Sequence, residues 1–414
     1  MRGAIVESLQ PYNESIVKHC QIVSTEVREE ETLHNLSLDR RGISQFTAGW
    51  YGLKTNFFSG LDLSNNDISD ITPELLNDMP ADITRIDLSS NKILRLRTGV
   101  IVNNHVNFLN LANNAMSEIE DRALEGTNLS SVDLSENRLN NTRFVATLPT
   151  TLQSLNLGEN NIDAIIPNIF SRLGQLEKID FTMNNITVIR NDSLSGLSSA
   201  KELILGNNKI EKIEIGAFRD LRSLRYLQLA NNKLTSLEKG VFIGLQAVEH
   251  IDLGFNSIEI ITNDSFYGLT DSLHTLTLTS NRIRVLEHGA FSQLALRELW
   301  LNNNELRKID SGIFPLMTLK NLHLGHNALA RINGSEFANL ESLVLLDLTN
   351  NGIVEIKKGF AQHLPKVEKL ILDENPFKIL GNGALFGLTK AINSTVHFRG
   401  SQLDIIQGGV FDDL

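Results

Sequence analysis

Apolar residues recur along most of the chain in one frame, L-x-x-L-x-L-x-x-N-x-I. Leu224, Leu227, Leu229, Asn232 and Leu234 form one copy; Leu273, Leu276, Leu278, Asn281 and Ile283 form another. Fourteen asparagines mark the frame, from Asn66 through Asn91, Asn114, Asn137, Asn160, Asn184, Asn208, Asn232, Asn256, Asn281, Asn304, Asn327 and Asn351 to Asn375, at spacings of 23 to 25 residues. Two degenerate copies flank this ladder, one with Arg41 at the asparagine position (Leu33, Leu36, Leu38, Ile43) and one with Ser401 (Val396, Phe398, Leu403), giving sixteen repeats over residues 33–414. Self-similarity at such a period signs a solenoid. The alternation around L-x-L is the period-two signal of a half-buried strand, and the dozen or more residues before the next copy are the length a parallel crossover needs. The expectation is an α/β solenoid of about sixteen repeats, a horseshoe with a continuous parallel β-sheet on its concave face. Each asparagine amide, at once donor and acceptor, is expected to cap backbone groups where the chain turns off the sheet; its neighbour, as in Asn231 beside Asn232, is expected to carry no such duty.

The second half of the repeat carries another mark, seen in Ile213–Leu221 and Leu286–Leu294: a phenylalanine at one position, as Phe170, Phe218, Phe242, Phe266, Phe291, Phe314, Phe337, Phe360 and Phe411. Stacked coil on coil, these rings predict a continuous buried spine that no single repeat could cover alone. Earlier repeats use Leu76, Leu124 or Val145 there, so the outer wall of the N-terminal third is expected to be less regular.

Composition then narrows the function. A solenoid grows by addition, so 414 residues indicate repeat number rather than several domains: a flanking or capping segment over 1–32 and one elongated domain over 33–414. Sixteen strands at their usual spacing give an inner arc on the order of 70 Å, the scale of a protein partner rather than a metabolite. A formal charge of −11, without a basic cluster interleaved with aromatics, speaks against nucleic acid. No apolar run has the length of a membrane span, and the three-residue apolar patch in Met1–Gln10 is too short for a secretory signal. The residues 409–414 finish a coil, which predicts that a capping segment and a signal peptide belong to the full gene product. Serines and histidines are scattered without a G-x-S-x-G turn, a phosphate loop or an H-E-x-x-H pair, so neither enzyme chemistry nor a cofactor is expected. His323 and His326 lack the further donors that a metal site needs.

Nine N-x-S/T sequons begin at Asn13, Asn35, Asn128, Asn140, Asn185, Asn191, Asn263, Asn333 and Asn393, none of them a ladder asparagine; as glycosylation candidates they favour an extracellular chain over a cytoplasmic one. Cys20 is the only cysteine, which excludes an intramolecular disulfide and leaves open a bridge to another chain in a homo- or heterodimer.

Residues flanking and between the strand leucines are the ones free of core duty. In the N-terminal half the central position reads Ser37, Asp62, Asp87, Asn110, Asp133, Asn156 and Asp180, an acidic and amide stripe read as a solvated face, with attraction of a basic partner as the other reading. From the eighth repeat the character changes. Ile204, Tyr226, Gln228, His250, Phe255, Trp300, His323, His326, Leu345, Ile371 and His397 bring aromatic, aliphatic and imidazole groups of the kind that dominate protein-binding hot spots.

The full frame, L-x-x-L-x-L-x-x-N-x-I-x-x-I-x-x-G-x-F-x-x-L, resembles the typical 24-residue animal subfamily of leucine-rich repeats, over more than nine-tenths of the chain. That subfamily includes Toll-like receptor ectodomains, chaoptin-like adhesion proteins and secreted immune proteins of mosquitoes. The G-x-I-P signature of plant-type repeats is absent, and the cysteine clusters that usually close extracellular members have at most Cys20 as a remnant. The resemblance implies an extracellular module that recognises a protein, in innate immunity or cell adhesion, with a cytosolic scaffold or a structural matrix protein as the rivals.

Overall fold

The computed structural model describes residues 35–46, 58–72, 75, 83–101, 105–314, 317–388 and 395–410. The segment 1–32 with Asn13 and Cys20, together with Leu33, Leu76, Asn393 and Phe411, lies outside the described residues, as does the side chain of Asn35.

The period-two stretches form sixteen three-residue strands in one parallel sheet whose spatial order is their chain order, from Asn35–Ser37 to Thr395–His397. Register is kept without a slip, because the middle residue of every strand points into the core. Leu203 pairs with Leu227, Leu227 with Ile251, Ile251 with Leu276, and each is almost fully buried. A one-residue slip would turn that row to solvent, so burial specifies the register.

The ladder asparagines do what the frame predicts. Asn232 Oδ1 accepts the Ile210 N–H at 3.0 Å, while its Nδ2 donates to the carbonyls of Leu205 at 3.0 Å, Leu229 at 3.0 Å and Ala230 at 3.3 Å. One amide thus joins two coils and satisfies groups that leave the sheet ladder. The residue before each ladder position is held in the left-handed region in every described coil, whether it is Asn231 (φ 59°), Glu159 (φ 53°), Met183 (φ 55°) or Phe255 (φ 53°).

The outer wall is made of turns, of the 3-10 helices Arg143–Thr147, Ser335–Phe337 and Phe360–His363, and of two-residue parallel pairs such as Ile260–Ile261 with Val285–Leu286. The rings of Phe218, Phe242, Phe266, Phe291 and Phe314 stack in sequence at centroid separations of 6.3, 6.2, 5.7 and 5.9 Å, and Phe337 meets Phe360 edge to face. The expectation of one unbroken spine is corrected at two coils: buried Leu194 stands between Phe170 and Phe218, and buried Leu385 takes the position after Phe360. Rings nearly 6 Å apart outside, against strands about 4.8 Å apart inside, make the outer arc longer and curve the solenoid around its sheet.

Candidate functional site

Each coil presents two side chains on the concave face, the first and third residues of its strand. The third-residue column runs Ser37, Asp62, Asp87, Asn110, Asp133, Asn156, Asp180, Ile204, Gln228, Asp252, Thr277, Trp300, His323, Asp347, Ile371 and His397 in continuous pairing. Tyr226, His250, Glu298 and Leu345 belong to the first-residue column.

The acidic and amide stripe of the N-terminal half has a structural duty that the sequence reading did not foresee. Asp62, Asp87, Asn110, Asp133, Asn156 and Asp180 each accept, through Oδ1, the backbone N–H two residues ahead, at 2.7 to 3.0 Å. These contacts are turn caps of the kind short polar side chains make with their own chain. Asp62 illustrates the balance: burial pushes its carboxyl up, but the Ser64 N–H, the Ser64 hydroxyl and the Ser37 hydroxyl outweigh that and hold it below the ordinary value. A hollow at the same end is lined by Gly60, Asp62, Asp87, Arg85 and Phe108, with the Arg85 guanidinium 4.1 Å from the Phe108 ring centre.

Beyond Ile204 most concave side chains are half-buried, because neighbouring strands bring them against one another, with Thr277 buried and Lys369 and Thr395 exposed. The structure draws some of the expected residues together and separates others. Trp300 and His323 stack almost in parallel, centroids 3.6 Å apart. Tyr226 and His250 are register neighbours, but three strand spacings, roughly 14 Å, separate Tyr226 from the strand of Trp300. Ile204 adjoins Gln228, which folds over Gly206 and leaves its Oε1 buried without a partner. Leu345 adjoins Lys369, and Ile371 adjoins His397, at the C-terminal end of the face. Phe255 and His326 stand apart from these: both occupy the left-handed position before a ladder asparagine, on the rim, where Phe255 is exposed and His326 Nδ1 meets Asn350 Nδ2 at 3.2 Å.

Two residues missed in the sequence complete the aromatic site. His323 Nε2 lies 3.9 Å from Glu298 Oε1, and its Nδ1 lies 3.9 Å from Asp347 Oδ2, distances of charge contact rather than hydrogen bonding. For Asp347, burial pushes the carboxyl up, but the His323 ring and the hydroxyl and N–H of Thr349 prevail and hold it below the ordinary value. Asp252, with only the Gly254 N–H to offset burial, is pushed up. In the wall of the site Trp300 Nε1 and Asn302 Nδ2 are buried without acceptors, and Asn302 Oδ1 receives the Thr279 hydroxyl at 2.8 Å. The frame marks Glu298 and Asp347 only as polar spacers; their position beside Trp300 and His323 was the available signal.

Among the described sequon asparagines, Asn128, Asn140, Asn191, Asn263 and Asn333 are exposed, Asn185 is half-buried, and only Asn35 belongs to a concave strand. Away from that face, Ile215, Ile243 and Tyr267 are exposed; Ile215 and Ile243 both line the surface at Gly240, and Lys239 Nζ lies 4.9 Å from the Tyr267 ring centre. No group of three or more histidine, cysteine or acidic residues with metal-binding geometry occurs among the described residues, and none of their helices is long and apolar enough to cross a membrane.

The model of the family described as leucine rich repeat matches residues 150–210, 176–234, 198–258, 222–272 and 295–353. No curated protein matches the sequence. A solved leucine-rich repeat protein of Leptospira interrogans is similar at 23% identity and a TM-score of 0.70, covering 92% of this chain and 93% of its own. The Toll-like receptor 13 structure solved in complex with single-stranded RNA is similar at 20% identity and a TM-score of 0.57, covering 94% of this chain and 74% of its own. The Toll structure from the Toll–Spatzle complex of Drosophila is similar at 19% identity and a TM-score of 0.62; the alignment covers 84% of this chain and about half, 54%, of Toll. At these identities the likeness is one of fold.

Proposed function

Because the chain belongs to the leucine-rich repeat family, whose shared scaffold serves many recognition tasks, we propose that it is an extracellular recognition module of innate immunity. It binds a protein through the C-terminal half of its concave face. The observation that carries this reading is the Trp300–His323 stack, a large aromatic pair on the open sheet whose indole N–H is left without an acceptor. An orphaned buried donor costs about 1–3 kcal/mol in the free chain, and aromatic anchors of this type dominate protein interfaces. Exposed sequons away from the sheet from Gly60 onward agree with an exported chain whose binding face stays clear of glycans. Cell adhesion uses the same kind of face and is the alternative role. One related fold was solved with RNA and another with Spatzle. Here the concave strand positions hold eight carboxylates, Asp62, Asp87, Asp133, Asp180, Glu202, Asp252, Glu298 and Asp347, against Arg85, Lys178 and Lys369, a balance that favours a protein over a polyanion.

A photo-crosslinking amino acid tests the face directly. Placed at Leu345, it is expected to yield protein adducts in the native extracellular milieu that disappear in the Trp300→Ala, Tyr226→Ala double variant; placed at Ile215 or Ile243, it is expected to yield none. Adducts confined to Ile215 and Ile243 would transfer recognition to the outer patch, and a thermal melt of the double variant separates lost binding from lost folding.

A further inference from the structure

The concave carboxylates are not equivalent. Asp62, Asp87, Asp133, Asp180, Asp252 and Asp347 all cap a backbone N–H two residues ahead. Glu202 is neutralised across the strands by Lys178 at 3.0 Å. Glu298 alone among them does neither: its register neighbours are the uncharged Thr275 and Asn321, and its one charge contact among the described residues is the His323 ring at 3.9 Å. Asp347 approaches the other nitrogen of the same ring, so two carboxylates share one imidazole, which carries charge only when protonated.

Resting on the protein-recognition reading, we propose that Glu298, His323 and Asp347 form the seat for one basic side chain of the partner, an arginine or lysine, lying over the edge of the His323 ring against the two carboxylates that flank it, beside the Trp300 stack. The charges ask for a cation at this point, and an aromatic pair beside it offers the flat contact that a guanidinium favours. The Trp300 N–H, buried in the wall beside this seat, has no acceptor among the described residues, a second and independent mark that the packing around the stack is incomplete in the free chain. Elsewhere on the face the chain supplies its own counter-charge or uses the carboxylate as a cap; at Glu298 it leaves the cation to be brought from outside.

The test uses the full chain and two short fluorescein-labelled peptides, one alternating arginine with glycine and one alternating glutamate with glycine, read by anisotropy. The arginine peptide is expected to bind and the glutamate peptide not. Glu298→Gln and Asp347→Asn each weaken binding about tenfold, the scale of one charge-assisted contact. Asp347→Asn keeps the Thr349 cap, as Asn110 and Asn156 keep theirs in equivalent positions. His323→Lys, which fills the seat from within, abolishes binding, while the Asp62→Asn, Asp87→Asn pair leaves it unchanged. An equal loss in that distant pair would reduce the effect to diffuse attraction by an acidic face and overturn the seat. So would full affinity in Glu298→Gln, or failure of the arginine peptide to bind. Crosslinks at Leu345 that persist in Glu298→Gln would leave the recognition reading standing and remove the basic seat alone.

Discussion

Asn232 joins two coils through four hydrogen bonds, and replacing it by alanine leaves the Ile210 N–H and the carbonyls of Leu205 and Leu229 buried without it. A loss of about 1–3 kcal/mol is expected. Asn231 is not the idle neighbour that the sequence suggests, because its left-handed backbone penalises alanine on its own account. Asn231→Gly removes the exposed side chain while keeping that conformation, so it should shift the melting temperature far less than Asn232→Ala; equal shifts would show that the ladder amide does not bear the load assigned to it. Asp252 offers the opposite sign. Its carboxyl is raised by burial, so the charged form is disfavoured in the fold: its stability contribution is full below the unfolded carboxylate value and is lost as pH rises through the folded one. Asp252→Asn, which retains the Gly254 cap, should therefore stabilise the chain at neutral pH, an advantage that fades below about pH 4. Melting curves at the two pH values check the sign.

Among the elements, the phenylalanine stack is the most informative, because the chain itself shows what can replace a ring. Leu194 and Leu385 occupy the same wall position and are buried there. Phe266, with a ring on either side at 6.2 and 5.7 Å, should therefore lose modestly on change to leucine, roughly 1 kcal/mol, and about 3–5 kcal/mol on change to alanine, where a cavity opens between Phe242 and Phe291. Chemical denaturation of the two variants provides the comparison; equal costs would mean that the wall does not discriminate volume. The strands, their parallel order and the wall are legible in the sequence because each repeats a local period. The turn before the ladder asparagine is not: Phe255, Glu159 and Met183 adopt a backbone that their own preferences disfavour, imposed by the hydrogen bonds around the next residue. The same limit hides the site. Trp300 and His323 are visible by residue type, whereas Glu298 and Asp347 acquire meaning only from partners on neighbouring strands, one coil away in a pairing that no local window displays.

Across the described residues, sixteen coils pair only in chain order, and every strand of the sheet except the two at its ends sits beside the coils immediately before and after it. The core row runs through every coil and the asparagine caps through fourteen of the sixteen, while two side chains per coil face out from the sheet, eight of them also capping the turn that follows. That separation makes the concave surface editable. Where a concave side chain does not cap the following turn, a change there is felt by its register neighbours and not by the rest of the scaffold, so selection can rewrite those positions coil by coil, much as type is reset in a fixed frame. Specificity can then drift quickly over a fold that scarcely changes, and a duplicated coil brings two fresh positions to the reading surface without disturbing those already composed.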